Sequence, residues 1–373
     1  MDKQETPTTS RPRLAWIDMM RGICMVLILY FHTEYYYAEA NIIPYSMYVC
    51  DALIAFFLVS GYLFNGGNVC ERGERREERG ERIPQESTQG REPNVQRSTF
   101  NVQRNLIPYL FFTALISFPK ALAHGSDFSI SDAFFTIITG RASWFVAALI
   151  VAELVFSLIM WISRGKKWLR CALMLIIVPA IYVALRINST LYTRQTHEVF
   201  IYFWQLDVAF LAVVFLYLGW LYRRYEHVFH RFHTSSSLLI LSILFIIIKI
   251  YVYKSQIFLT IFPIQISNYV VFIADTLLFS FLLSAACKRT CRHHESTTFC
   301  LGLRWIGRRS IVFYFLCGGV PLLISMLLRR IGLPYNGCYP TIFLVLIIVI
   351  ALASLITWFI YRYIPQVTGR KIR

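Results

Sequence analysis

Arg21 and His32 stand eleven residues apart in a run, Ile17 to Tyr37, that is otherwise apolar enough to cross a membrane. Eleven steps of about 100° fall some 20° from whole turns, so the two side chains share one face of a helix. A rise of 1.5 Å per residue sets them roughly 16 Å apart, too far to touch and suited to two depths of one internal cavity. Ionisable groups at such depth are costly in hydrocarbon, face a bundle interior or a water-filled path, and mark function. Asp18, three residues before Arg21, projects to the same side. A neutral imidazole can take the proton of a weakly nucleophilic hydroxyl, while a guanidinium presents a planar fork of donors to a phosphate or carboxyl group. Each also has a plainer reading: His32 as an interhelical hydrogen-bonding group, and Asp18 with Arg21 as an i, i+3 ion pair.

The elements that must carry these residues are membrane helices. The 373 residues are 57% hydrophobic and 16% charged, with 30 Phe and 22 Tyr, and the mean hydropathy is +0.53. A soluble fold could not hide that much apolar surface. Apolar stretches bounded by charge, Pro or Gly predict an all-α polytopic protein of about ten spans, at 16–36, 45–65, 105–122, 143–163, 169–187, 199–221, 235–253, 266–286, 308–328 and 341–362. If both termini are cytoplasmic, the segments on that side hold 28 of the 37 Lys and Arg residues, as the positive-inside rule requires. The net charge of +16 then reports orientation; nucleic-acid binding would need a soluble basic face, and the basic residues are dispersed among loops. The chain reads as a polar arm over 1–15, one membrane domain over 16–362 and a tail over 363–373. The first apolar run is too long for a cleaved signal peptide and is expected to stay.

The stretch from Cys70 to Arg104 has few apolar residues and repeats Asn-Val-Gln-Arg at 94–97 and 101–104. Burial cannot offset its ordering entropy, so about 70–96 is expected to be a flexible basic cytoplasmic insertion. The nine cysteines lie mostly in spans or cytoplasmic loops, which argues against a disulfide framework. Cys287, Cys291, His293, His294 and Cys300 are soft ligands whose spacing fits no common structural zinc site, so no metal is expected. There is no Gly-rich phosphate loop, GxSxG elbow or close carboxylate pair of glycosidase type.

Four separate pieces resemble the acyltransferase 3 family of bacterial integral-membrane O-acyltransferases, in particular its branch of fucose 4-O-acetylase-like enzymes. They are Trp16-Ile17-Asp18-Met19-Met20-Arg21-Gly22 with Leu27 to His32; Phe56 to Phe64; Arg104 to Tyr109 with Ser143 to Leu149; and Trp204-Gln205-Leu206-Asp207 with Phe215 and Leu218 to Leu221. These run from about residue 14 to 225; farther on, only the hydrophobic pattern and Ile306-Gly307-Arg308-Arg309-Ser310 match.

The resemblance implies transfer of an acyl group, commonly acetyl from cytoplasmic acetyl-CoA, to a sugar hydroxyl of a lipid-linked or cell-surface glycan. It implies no bound cofactor, and a bacterial inner membrane as the location. His32 is then the candidate base, or a relay that carries the acyl group itself. Arg21 and Asp18 accompany it, and Arg104 and Ser60 are candidates to bind the donor. Arg104 could instead be a positive-inside anchor, and Ser60-Gly61 a small-residue packing site. Glu34, Trp144, Trp204, Asp207 and Asp275 are candidates to line the acceptor cavity. The two Trp suit an interface belt or sugar stacking, and the two Asp could orient an imidazole from another helix.

Cys317 stands where many relatives carry a His, and a thiol could not act as that base. A glycan translocator without chemistry is the competing class, although no two-fold internal repeat or matched pair of broken helices supports it. A structural membrane component would leave Arg21 and His32 replaceable.

Overall fold

The computed structural model describes residues 14–64, 105–115, 130–163, 166–293 and 296–369. In hydrocarbon every backbone N–H and C=O must be satisfied within the segment, and this apolar chain accordingly folds as helices. They are α1 (Ala15–Tyr37), α2 (Val49–Leu63), α3 (Asn105–Leu115), α4 (Ile130–Ile138), α5 (Trp144–Ile162), α6 (Lys167–Thr196) and α7 (Leu206–Arg224), then the short α8 (Glu226–Phe229), α9 (Ser235–Lys254), α10 (Tyr269–His293), α11 (Thr298–Arg308), α12 (Ser310–Arg330) and α13 (Pro340–Tyr363).

Among the described residues eight helices, α1, α5 to α7, α9, α10, α12 and α13, are long and apolar enough to cross a membrane, with α7 counted from Phe203; α2 and α3 are shorter apolar helices. This is a multi-pass integral membrane protein. Each expected span overlaps one of these ten helices, of which eight are long enough to cross; residues 116–122 of the third lie outside the described residues. The second starts at Val49 rather than 45, because Tyr45–Met47 forms a separate 3-10 turn. The expected boundary between the fifth and sixth spans moves outward, because α6 runs 30 residues through a π turn at Leu173–Ile177. The N-terminal arm to residue 13, Arg104, the 70–96 insertion and the end of the tail lie outside the described residues.

Helix α1 lies at the centre, packed along α2, α10, α11, α12 and α13. Two glycines set its closest contact: a Cβ on Gly22 would overlap the Leu303 carbonyl of α11, and one on Gly307 would overlap the Asp18 carbonyl. The same device joins α2 to α7, where Gly61 abuts Leu216 and Gly219 abuts Leu58. Small residues let helix backbones approach closely where lipid leaves no hydrophobic drive for association. Beside the first contact, Arg308 Nε donates to Asp18 at 2.9 Å.

Between α9 and α10 the chain makes a hairpin, β1 (Leu259–Ile261) with β2 (Ile264–Ile266), paired antiparallel with Leu259 opposite Ile266. Leu259, Ile261 and Ile264 are buried, so the hairpin packs inward against the bundle. Arg186 of α6 pins it, donating to the Ile264 carbonyl at 2.7 Å and pairing with Asp207 at 3.5 Å.

If the glycine contacts set the position of α1, replacing Gly307 with Val should force α11 from α1 at a cost of about 2 kcal/mol or more. Gly302→Val, at a site where an added Cβ meets nothing, should cost far less. Thermal unfolding of the two variants in the same detergent tests this, and equal losses would contradict it.

Candidate active site

Helix α1 runs without a break from Asp18 through Arg21 to His32, so the shared face expected from the spacing is present. His32 is half-buried. Its ring meets Phe31 edge-on, with centroids 5.3 Å apart, and lies nearly parallel to Tyr36 at 6.1 Å. Phe31 in turn meets Tyr45, from the 3-10 turn after α1, at 5.4 Å. Among the described residues, none hydrogen-bonds to either imidazole nitrogen. A half-buried imidazole walled by aromatic rings and uncommitted to a protein partner can accept a proton from a bound hydroxyl.

Opposite α1 stands α12, where Cys317 is buried. Pro321 lies inside this helix, and having no N–H it withholds the donor that would bind the Cys317 carbonyl. Gly318 and Gly319 follow Cys317, and a Cβ on either would meet nothing within 4 Å. The stretch around Cys317 is therefore a locally opened helix. Tyr314, three residues before Cys317, meets Phe145 of α5 at 5.4 Å. Next to Phe145, Trp144 stacks on Phe262 at the hairpin tip, with centroids 5.1 Å and planes 12° apart. Trp144 is thus half-buried in an aromatic stack, a placement that the sequence reading of an interface belt did not contain.

The other expected site residues are more dispersed. Asp18 is engaged by Arg308, so its carboxylate fixes α11 as well as flanking Arg21. Glu34 is buried on a different face from His32: its Oε1 accepts from Ile43 N–H at 3.3 Å and from the Tyr30 and Tyr339 hydroxyls at 3.4 and 3.5 Å. It closes the loop after α1. Trp204, with a left-handed φ of 50°, donates its indole N–H to the Ile138 carbonyl at 2.7 Å and sits against Tyr109. Ser60 is half-buried beside Gly61, the residue that makes the α2–α7 contact.

The two aspartates do not serve an imidazole. Asp207 pairs with Arg186. Asp275 and Asp51, both 0% exposed, converge on Lys249 of α9: its ammonium donates to Asp51 at 2.6 Å, to Asp275 at 2.7 Å and to the Ser46 carbonyl at 3.1 Å. Asp51 and Lys249 are not among the residues singled out from the sequence, because each is a lone charge in its expected span; the signal available was that three spans each carry one such charge. The triad joins α2, α9 and α10 and holds the turn before α2, which carries Tyr45 toward Phe31.

At the end of the bundle where α1 begins, Lys288 donates to Glu226 at 2.7 Å and to the Tyr222 hydroxyl at 2.9 Å, and Tyr62 donates to Glu226 at 2.7 Å. Burial pushes the Glu226 carboxyl up, but the hydrogen bonds from Lys288 and Tyr62 and the Lys288 charge outweigh it and hold the group below its ordinary value.

A family model of the acyltransferase domain matches residues 14–362. The chain belongs to the acyltransferase 3 family. It is therefore a membrane acyltransferase, and the group it transfers is not an aminoacyl group. No curated protein and no solved structure matches it. The family match covers α1 to α13, so His32, Arg21 and Cys317 all fall within it.

Two outcomes follow for the polar groups around this acyltransferase core. Lys249→Met leaves two buried carboxylates without a counter-charge and should cost about 3–5 kcal/mol, whereas Asp275→Asn leaves a neutral Lys249–Asp51 pair and should cost less. Chemical or thermal unfolding of the two variants reads the order, and the reverse order would contradict the triad. Glu226, lowered in the folded state, contributes stability above the ordinary carboxylate value and loses it as pH falls through the lowered one. The melting-temperature gap between wild type and Glu226→Gln should therefore be open at neutral pH and close on acidification below about pH 4.

Proposed function

We propose that this acyltransferase moves an acetyl group from cytoplasmic acetyl-CoA to a hydroxyl of a cell-envelope or exported sugar, with His32 as the general base. The observation that carries the reading is the His32 imidazole: half-buried within the bundle, ringed by Phe31 and Tyr36, and without a hydrogen-bond partner among the described residues. The sugar hydroxyl oxygen bonds to the thioester carbonyl carbon, its proton passes to the imidazole, the carbon–sulfur bond breaks, and the proton leaves with the CoA thiolate as thiol. Transfer through an acyl-His32 intermediate uses the same residue and gives the same products.

Arg21, below His32 on the same face, suits the phosphates or carboxyl group of the donor through bidentate hydrogen bonds. Arg104 and Ser60 join it on the donor side in this reading. The aromatic stack of Trp144 and Phe262 supplies flat faces of the kind on which sugar rings pack. The likeness to the fucose 4-O-acetylase branch supports a hexose acceptor. The basic-residue asymmetry supports cytoplasmic termini, with the insertion on the same side, and the family supports a bacterial inner membrane.

The test is ester-linked acetate on envelope glycans of a deletion strain carrying wild type or His32→Ala at matched membrane levels. General-base loss predicts a fall of at least about 10²-fold in acetate with glycan export unchanged. Equal acetate in both strains, with surface glycan lost only in the deletion, would replace catalysis by translocation.

A further inference from the structure

A cavity of about 810 Å³ opens at the end of the bundle where α1 begins, between α2, α7, α9 and α10. It contains neither Arg21 nor His32. Its wall is apolar, from Trp16 and Met20 through Val59 to Leu244 and Ile248, with the row Ala274, Leu277, Phe281 along α10. From Ala274 to Ser284 the cavity follows α10 for about 15 Å, close to half the thickness of the hydrocarbon core and thus the depth of one leaflet.

Two polar features break this wall. Ser280 is one of the lining residues and only 6% exposed, and its buried hydroxyl has no hydrogen-bond partner. A buried hydroxyl left unpaired costs free energy, which a bound acceptor would relieve. One and two turns farther along α10 come Ser284 and Lys288, on the same face. The Lys288 ammonium lies 4.5 Å from the Trp16 ring centroid and 4.8 Å from that of Tyr222, two residues of the lining. Arg223 lies 5.8 Å from the ring centroid of Tyr62, another lining residue; with Lys288 it makes two cations against the one carboxylate of Glu226 at that end.

An apolar slot one leaflet deep, a hydroxyl part-way along it and an excess of positive charge at the mouth match one chemical class. We infer that this cavity binds a single anionic phospholipid from the bilayer. One acyl chain lies along Ala274 and Leu277, the ester carbonyl accepts from Ser280, and the phosphate meets Lys288. The cavity lies apart from the proposed base, because His32 is twelve residues from Met20, about 18 Å along α1.

The test is native mass spectrometry of the purified full-length protein after release from bilayers of equal parts phosphatidylglycerol and phosphatidylcholine. Wild type should keep one phosphatidylglycerol in preference to phosphatidylcholine. Ala274→Trp and Val59→Phe, which fill the slot from two helices, should cut retention about tenfold while remaining folded by thermal unfolding. Ser280→Ala should weaken retention of both lipids, and Lys288→Met should abolish the preference for the anionic one. Wild type retaining no lipid, retaining both lipids alike, or releasing phosphatidylglycerol to palmitoyl-CoA in competition would overturn the inference. So would undiminished retention by a folded filled variant. If neither filled variant folds, the wild-type preference and the palmitoyl-CoA competition still decide.

Discussion

Close backbone contact between α1 and α11 is the constraint on which the rest of the arrangement depends. Lipid is as apolar as the helix surfaces it bathes, so burying Leu or Phe between two helices gains little; association rests on close packing and on polar links. Gly22 and Gly307 remove the two side chains that would hold the backbones apart, and the Arg308–Asp18 pair sits beside the notch. Helix α11 leads into α12 within two residues, so the contact also fixes where α12 meets α1 and hence the surroundings of His32.

Of the carboxylates and the imidazole considered above, the carboxylates are held by protein partners and the imidazole is not. Asp51, Lys249 and Asp275 bind one another; Asp207 binds Arg186; Glu34 binds the loop after α1. Each tie holds a turn, a loop or the hairpin over the bundle. His32 is the exception, since no protein group binds its nitrogens among the described residues. A residue of that kind costs free energy in hydrocarbon, and the proposed proton transfer from the acceptor hydroxyl would supply a reason for it.

Helix α12 shows how a local rule is broken near that site. Cys317-Gly318-Gly319-Val320-Pro321 combines two residues without side-chain bulk and one without an N–H. The result is a freed carbonyl and open space in a helix packed along α1. At this register the chain presents the Cys317 thiol and a freed backbone acceptor rather than an imidazole base.

Much of this was legible in the sequence, because hydrocarbon imposes a one-dimensional rule: an uncharged stretch long enough to span folds as a helix, and a charge within it must face inward. That rule yielded the helices, the shared face of Arg21 and His32, and with four motifs the family. It could not say which inward charge meets which. Asp275 and Asp207 looked like partners for an imidazole, yet Lys249 and Arg186 hold them; Glu34 looked like a cavity residue and instead closes a loop. The partners of a buried charge lie on other helices, so they depend on how those helices are rotated and how deep they sit. Helix periodicity determined which residues turn inward; tertiary packing, set by the glycine notches and the hairpin, decided what each of them finds there.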